Sequence, residues 1–183
     1  MSETTALTYA DLLAAVQAPE GQGVELKDPA TGDVVGRAPQ RTPADLDAAV
    51  ATARDAQKAW AALSHAERSA RLNAAADAIE ASAEALAELL SREQGKPVKN
   101  GPNAAFEVGA CSAWTRATAA FEIEPETVVD DESGRAELHW TPIGVVGGIG
   151  PWNWPMMISV WQIAPALRMG NTVVLKPSEY TPL

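Results

Sequence analysis

Along the first 120 residues the apolar positions recur mostly at three- and four-residue steps, and that period predicts helices. Thr42-Pro43-Ala44-Asp45 supplies a cap, a first-turn proline and an acceptor at the third helical position, and Leu46, Val50, Ala53 and Trp60 follow at helical spacing. A helix over about 43–62 is expected. Ser64-His65-Ala66-Glu67 repeats the capping signal, and Leu72, Ala76, Ile79, Ala83, Leu86 and Leu90 carry the period as far as Gly95 and Pro97. This second helix is long and Ala-rich, with a bend expected near Ser82. A third helix is predicted over about 103–120, with Phe106, Ala110, Ala113, Trp114 and Ala117 on one face and Trp114 directed to the core. Ahead of these lie a short helix over Thr8–Gln17 and a small hairpin, Val24–Lys27 and Val34–Arg37, around the turn Asp28-Pro29-Ala30-Thr31-Gly32-Asp33.

After residue 120 the period changes. Residues 121–140 read as a hairpin, turned at Asp130-Asp131-Glu132-Ser133-Gly134 and alternating through Arg135, Ala136, Glu137, Leu138, His139 and Trp140. Ile143-Gly144-Val145-Val146-Gly147-Gly148 is a continuous apolar run that suits a strand covered on both faces. An apolar helix over Met156–Met169 and a second buried strand, Thr172-Val173-Val174-Leu175, complete a βαβ unit of a parallel sheet. The fold class is therefore α/β.

The chain has 183 residues, 14 Lys+Arg against 24 Asp+Glu, a net charge of −10, 46% apolar residues and one cysteine. An acidic balance without clustered basic residues argues against nucleic acid, because phosphate neutralisation needs Lys and Arg. Cys111 by itself can form neither an internal disulfide nor a Cys-rich zinc site, and no metal site is expected. The N-terminus lacks a basic segment followed by an apolar run, and no unbroken apolar stretch is long enough to span a bilayer, so a soluble, cytoplasmic protein is expected. Charge is unevenly spread: residues 142–183 carry only Arg168, Lys176 and Glu179. So little charge suits the inside of a larger domain, and the stop at Thr181-Pro182-Leu183 leads us to expect the front part of a longer protein.

Open parallel sheets bind ligands at the carboxyl ends of their strands. Here those ends are Gly147-Gly148-Ile149-Gly150-Pro151-Trp152-Asn153-Trp154-Pro155 and Lys176-Pro177-Ser178-Glu179. In the first loop glycines permit close backbone approach, prolines fix the path, and Asn153 presents an amide among apolar neighbours. In the second, a cation and a carboxylate three residues apart suit the hydroxyls of a polar ligand. Two ordinary alternatives stand beside these: Asn153 caps the following helix, and Lys176 and Glu179 merely pair at the surface. A dinucleotide fingerprint is absent, since Gly148 and Gly150 are followed by Asn153 where the third glycine belongs.

These same residues, with Ala164-Pro165-Ala166-Leu167, Gly170-Asn171-Thr172, the upstream Gly95-Lys96-Pro97 and the Pro29-Ala30-Thr31-Gly32 turn, resemble the aldehyde dehydrogenase superfamily over roughly residues 24–183. The resemblance implies NAD(P)-dependent oxidation of an aldehyde to a carboxylic acid. In that chemistry a cysteine thiolate attacks the aldehyde, a hydride passes to the nicotinamide, and a glutamate activates the water that hydrolyses the thioester. It further implies that Asn153 is an oxyanion donor and that Lys176 and Glu179 hold the adenosine ribose in the segment Lys176-Pro177-Ser178-Glu179. Ile149, Gly150, Pro151 and Trp152 then form the wall beside the cofactor. A carboxylate near the ribose 2′ position accepts a hydroxyl and repels a phosphate, which favours NAD over NADP. By the same likeness residues 1–120 are the helical part of an NAD-binding domain, 121–140 an oligomerisation arm, and 141–183 the first βαβ unit of a Rossmann-type sheet, with the catalytic domain absent. A homo-oligomer, dimer or tetramer, is implied for the full-length protein.

The nucleophilic cysteine and the general-base glutamate of the family lie beyond the matched stretch. Cys111, on the Ala-rich third helix with no histidine beside it, reads as a small structural residue. His65 and His139 are read as structural too. Gln162 stands where the family commonly has a lysine after the tryptophan at Trp161. The six tryptophans are expected to pack in the core, Trp152 excepted. The alternative to an enzyme portion is a catalytically inactive remnant, either a cofactor-binding module or a subunit-interaction piece.

Overall fold

The protein is described from a computed structural model, which covers residues 5–183. Three capping boxes start the first three helices: Thr8 with Asp11 before α1 (Tyr9–Val16), Thr42 with Asp45 before α2 (Pro43–Ala61), and Ser64 with Glu67 before α3 (His65–Ala81). In each, hydroxyl and carboxylate satisfy backbone N–H groups reciprocally, so the starts are fixed locally. The expected bend at Ser82 is a full break. Ser82 leaves helical geometry at φ −105°, ψ 15°, its hydroxyl accepts from the Leu7 N–H, and α4 (Ala83–Gln94) begins anew. Gly95 ends α4 at φ 85°, where an added Cβ would lie 2.5 Å from the Pro29 ring, so both conformation and space demand glycine.

Between α1 and α2, β1 (Val24–Lys27) and β2 (Val34–Ala38) form the small antiparallel hairpin. Helix α5 (Ala104–Ala120) is the centre of the molecule, packed against α3 and α4 on one side and α6 (Pro155–Arg168) on the other. One cluster joins Ala87, Leu90, Ala104 and Val108, with Met156 against it; another joins Leu72, Ala119 and Ala164. The inward face of α5 is not the expected one. Ala104, Glu107, Val108, Cys111, Ser112, Thr115 and Ala119 are buried, whereas Phe106 is 60% and Trp114 is 42% exposed. Three polar residues on the buried face hide it from a hydrophobicity pattern, and the aromatic residues pair outside it, Trp114 with Trp161 at 5.4 Å and Phe106 with Trp154 at 6.0 Å. Trp140 and Trp161 are likewise exposed rather than core, and so is Leu46 of α2.

β3 (Glu126–Asp131) and β4 (Gly134–Leu138) form the predicted hairpin, every residue of it exposed. β5 (Val145–Ile149) and β6 (Thr172–Lys176) are adjacent and parallel, Val145 facing Thr172 and Ile149 facing Lys176. The βαβ expectation holds in order, type and pairing. The strands are half-buried rather than covered on both faces, because among the described residues their cover comes from α2 and α6. Helix α2 is fastened there by side chains: Thr172 Oγ1 donates to the Ala53 carbonyl at 2.8 Å, and Trp60 Nε1 to the Leu167 carbonyl at 2.9 Å.

Candidate functional site

The carboxyl ends of β5 and β6 lie side by side, tied where the Gly150 N–H donates to the Lys176 carbonyl at 2.9 Å. Gly148 is buried where an added Cβ would stand 2.7 Å from Gln162 Oε1 and 2.8 Å from Leu175, so the strand end requires glycine for close packing. Gln162, from α6, donates to the Ile149 carbonyl at 3.1 Å and holds the last residue of β5 in place.

Ile149 and Trp152 are 76% and 58% exposed, and Pro151 is half-buried between them. Together with buried Gly150 they form an apolar lip that is open to solvent. Lys176 Nζ and Glu179 Oε2 stand 3.7 Å apart, both well exposed. The lysine beside Glu179 and the backbone N–H it accepts from keep its carboxyl below the usual range, the hydrogen bond being the larger cause. Between them Ser178 is buried and accepts the Tyr180 N–H, while Pro177 packs beside Gly150, so the loop has a fixed base beneath two free polar tips.

Asn153 does not cap α6. Trp154 occupies the cap position without a side-chain bond, and the exposed Asn153 amide makes no hydrogen bond among the described residues. The capping role falls to Glu107 of α5, whose Oε1 accepts the N–H groups of Met156 and Met157 at 2.9 and 3.0 Å. Its other oxygen meets Lys96 Nζ at 2.5 Å, and that ammonium also donates to the Asn153 carbonyl at 3.0 Å and lies 4.0 Å from the centre of the Trp154 ring. Gln94 Nε2 donates to the carbonyls of Trp152 and Asn153 at 2.8 and 2.7 Å. Lys96 and Glu107 went unread as site residues. The available signals were an acidic residue amid an Ala-rich helix and a lysine directly after a helix-ending glycine.

Cys111 is fully buried, and burial with Glu107 nearby pushes its thiol up to about 12, so it holds its proton and cannot act as a thiolate. His65 Nδ1 is 2.8 Å from Arg168 Nη1 and His139 Nε2 is 3.0 Å from Glu137, both within structural contacts. Among the described residues no cluster of three metal-ligating side chains occurs, and no helix is long and apolar enough to cross a membrane.

The family model described as "Aldehyde dehydrogenase family" matches residues 16–183. Among solved structures, PnpE from Pseudomonas sp. WBC-3 shares 38% identity over 91% of this chain and 34% of its own, with a TM-score of 0.83. An aldehyde dehydrogenase from Brucella melitensis biovar abortus 2308 shares 30% identity over 91% of this chain and 35% of its own, with a TM-score of 0.83. An NADP-dependent glyceraldehyde-3-phosphate dehydrogenase from Bacillus halodurans C-125, complexed with NADP, shares 34% identity over 90% of this chain and 36% of its own, with a TM-score of 0.80. The chain thus spans about a third of the length of each of these structures. The family match spans residues 16–183, both loops at the strand ends included: the chain belongs to the aldehyde dehydrogenase family.

Proposed function

We propose that this chain is the cofactor-holding front of an enzyme that oxidises an aldehyde to a carboxylic acid with NAD(P). The single observation that carries the reading is the state of Asn153: its main chain is held by Gln94 and Lys96, and its side-chain amide is left free beside the carboxyl end of β5. A tethered amide with two unengaged N–H donors suits an oxygen that gains negative charge in a transition state.

The donor set at the strand ends fits a dinucleotide. Lys176 and Glu179 offer a cation and an ionised acceptor to ribose hydroxyls, and Ile149, Gly150, Pro151 and Trp152 supply an apolar wall, with Pro177 and Ser178 fixing the loop beneath. Bound there, the cofactor supplies a hydride acceptor. Glu179 favours NAD, because its negative charge would face a 2′-phosphate. Cys111 takes no part in attack on the aldehyde; that nucleophile and the base for hydrolysis belong to other residues. In this reading residues 1–120 and 141–183 build the NAD-binding part, and the 121–140 arm carries an exposed edge that pairs with a second copy in a homo-oligomer.

The test is Asn153→Ala in the full-length enzyme. Turnover is expected to fall about a hundredfold, with far less change in NAD affinity, since the amide acts mainly in the transition state. Unchanged turnover overturns the assignment.

A further inference from the structure

Helix α6 begins in an unusual way for a segment that supports a reactive amide. Its first residue, Pro155, has no N–H, and its cap residue offers no side-chain bond. The next two N–H groups, on Met156 and Met157, both point at one oxygen of a carboxylate that comes from another helix and is fully buried. A negative group at that end also suits the helix dipole. Lys96, the partner of that carboxylate, has a side chain only 9% exposed, so the pair is shielded from water and from salt.

We propose that Glu107 and Lys96 are positioning residues for Asn153, Glu107 fixing the start of α6 on its C-terminal side and Lys96 fixing the Asn153 carbonyl itself. This rests on the reading of Asn153 as an oxyanion donor. The three residues Trp152–Trp154 are held from both directions: Gln94 and Lys96 take two of their carbonyls, and Glu107 takes the two N–H groups that follow Pro155. None of these contacts engages the Asn153 amide. A buried ion pair contributes little net stability compared with apolar residues of the same volume. What this pair supplies is a loop that cannot drift, and donors of this kind lose their effect when displaced by about 1 Å.

The experiment uses the full-length enzyme and two readouts. Hydrogen exchange of the 152–158 segment reports the hold on the loop whatever the activity, and kcat with KM for NAD reports its consequence. Glu107→Gln and Lys96→Met are each expected to speed exchange at 152–158 and to lower kcat tenfold or more, with KM for NAD within about twofold. Both should lose little further when added to Asn153→Ala, because they act through that residue. The double variant K96M/E107Q removes the buried charge without leaving either partner alone, and keeps an amide oxygen for the Met156 and Met157 N–H groups. Relative to Lys96→Met it should recover part of the protection of the segment, and no recovery would mean that the unpaired charge is not what loosens the loop in that single. Unchanged exchange in the singles overturns the proposal, as does faster exchange with an undiminished kcat. If Asn153→Ala itself leaves kcat intact, the donor reading fails, and the exchange data still decide whether the pair holds the loop.

Discussion

Lys96 and Glu107 meet at 2.5 Å with side chains 9% and 0% exposed, while Arg135 and Glu137 of the arm meet at 2.6 Å with side chains 61% and 29% exposed. The distances are alike and the surroundings are not. In the arm, Arg135 also reaches Asp130 and Glu137 also reaches His139, so its charges form a solvated string along an exposed ribbon, with Val128 and Leu138 as bare as the ions. At the α5–α6 junction one charge pair is shielded from solvent, and the three hydrogen bonds that its carboxylate accepts come from the Met156 and Met157 N–H groups and from Lys96. Number of charges therefore tells little about what charge does here: the charges of the hairpin stand in solvent, and two residues from the helical part of the chain hold the start of α6 in the charge-poor unit.

The largest expected difference between these regions is in stability. Lys96→Met leaves Glu107 buried and uncompensated, and breaking a buried pair in this way costs about 3–5 kcal/mol. Arg135→Met removes the centre of an exposed network and is expected to leave the urea midpoint unmoved within error. Equal losses from the two substitutions would erase the contrast between the regions.

A second contrast is in the sign of the pH response. Burial raises the carboxyl of Glu93, at the end of α4, from 4.5 to about 8, against a smaller lowering by the Leu183 N–H that it accepts. The native state then holds a proton that the unfolded chain gives up, so Glu93 costs stability increasingly as pH rises from about 4.5 to about 8, and not further. In the arm, hydrogen bonds from Arg135 and His139 lower Glu137, whose contribution is present above the ordinary carboxylate pKa and fades as the medium turns acid. Glu93→Gln should therefore raise stability at pH 8 by a few kcal/mol relative to wild type and change it little at pH 4.5. Urea unfolding at both pH values checks this, and a benefit that is the same at both would mean that Glu93 is ionised in the fold.

Much of the architecture was legible because it is specified by neighbours in sequence. Thr42 with Asp45, Ser64 with Glu67, the Gly95 stop and the apolar runs on either side of the 149–155 loop all act within a few residues, and each placed its element. The faces of α5 were not legible. Glu107, Ser112 and Thr115 are buried because partners 32 to 50 positions away satisfy them or their own helix does, through Met156, Met157, Glu80 and the Cys111 carbonyl. A periodicity reading counts such residues as outward and turns the aromatic side inward. For the same reason Arg168 is 1% exposed in the least charged part of the chain, its guanidinium beside His65 and Glu122. The Asn153 loop was found from its place at the end of a predicted strand and from the family resemblance, whereas what holds it comes from Gln94, Lys96 and Glu107 and needed the fold.

The smallest predicted effect separates exposure from irrelevance. Lys176 and Glu179 are as solvent-washed as Arg135 of the arm, with side chains 63% and 73% exposed, and their 3.7 Å separation is looser than the 2.6 Å between Arg135 and Glu137. By the logic of the arm, Glu179→Gln should leave folding untouched, and the urea midpoint is expected not to move. Yet these two tips stand at the carboxyl end of β6, beside the lip of Ile149 and Trp152, where the proposed ribose lies. An ionised carboxylate there accepts a 2′-hydroxyl and repels a 2′-phosphate; the amide keeps an acceptor oxygen and loses the repulsion. The ratio of kcat/KM for NADP to that for NAD should rise roughly tenfold, mainly through KM for NADP. An unmoved ratio with unmoved stability would put Glu179 in the same position as Glu137, an exposed partner of a neighbouring cation, and would remove the support for NAD as the preferred cofactor. A shifted ratio in a protein of unchanged stability would show that an exposed ion pair at a strand end acts on the ligand and not on the fold.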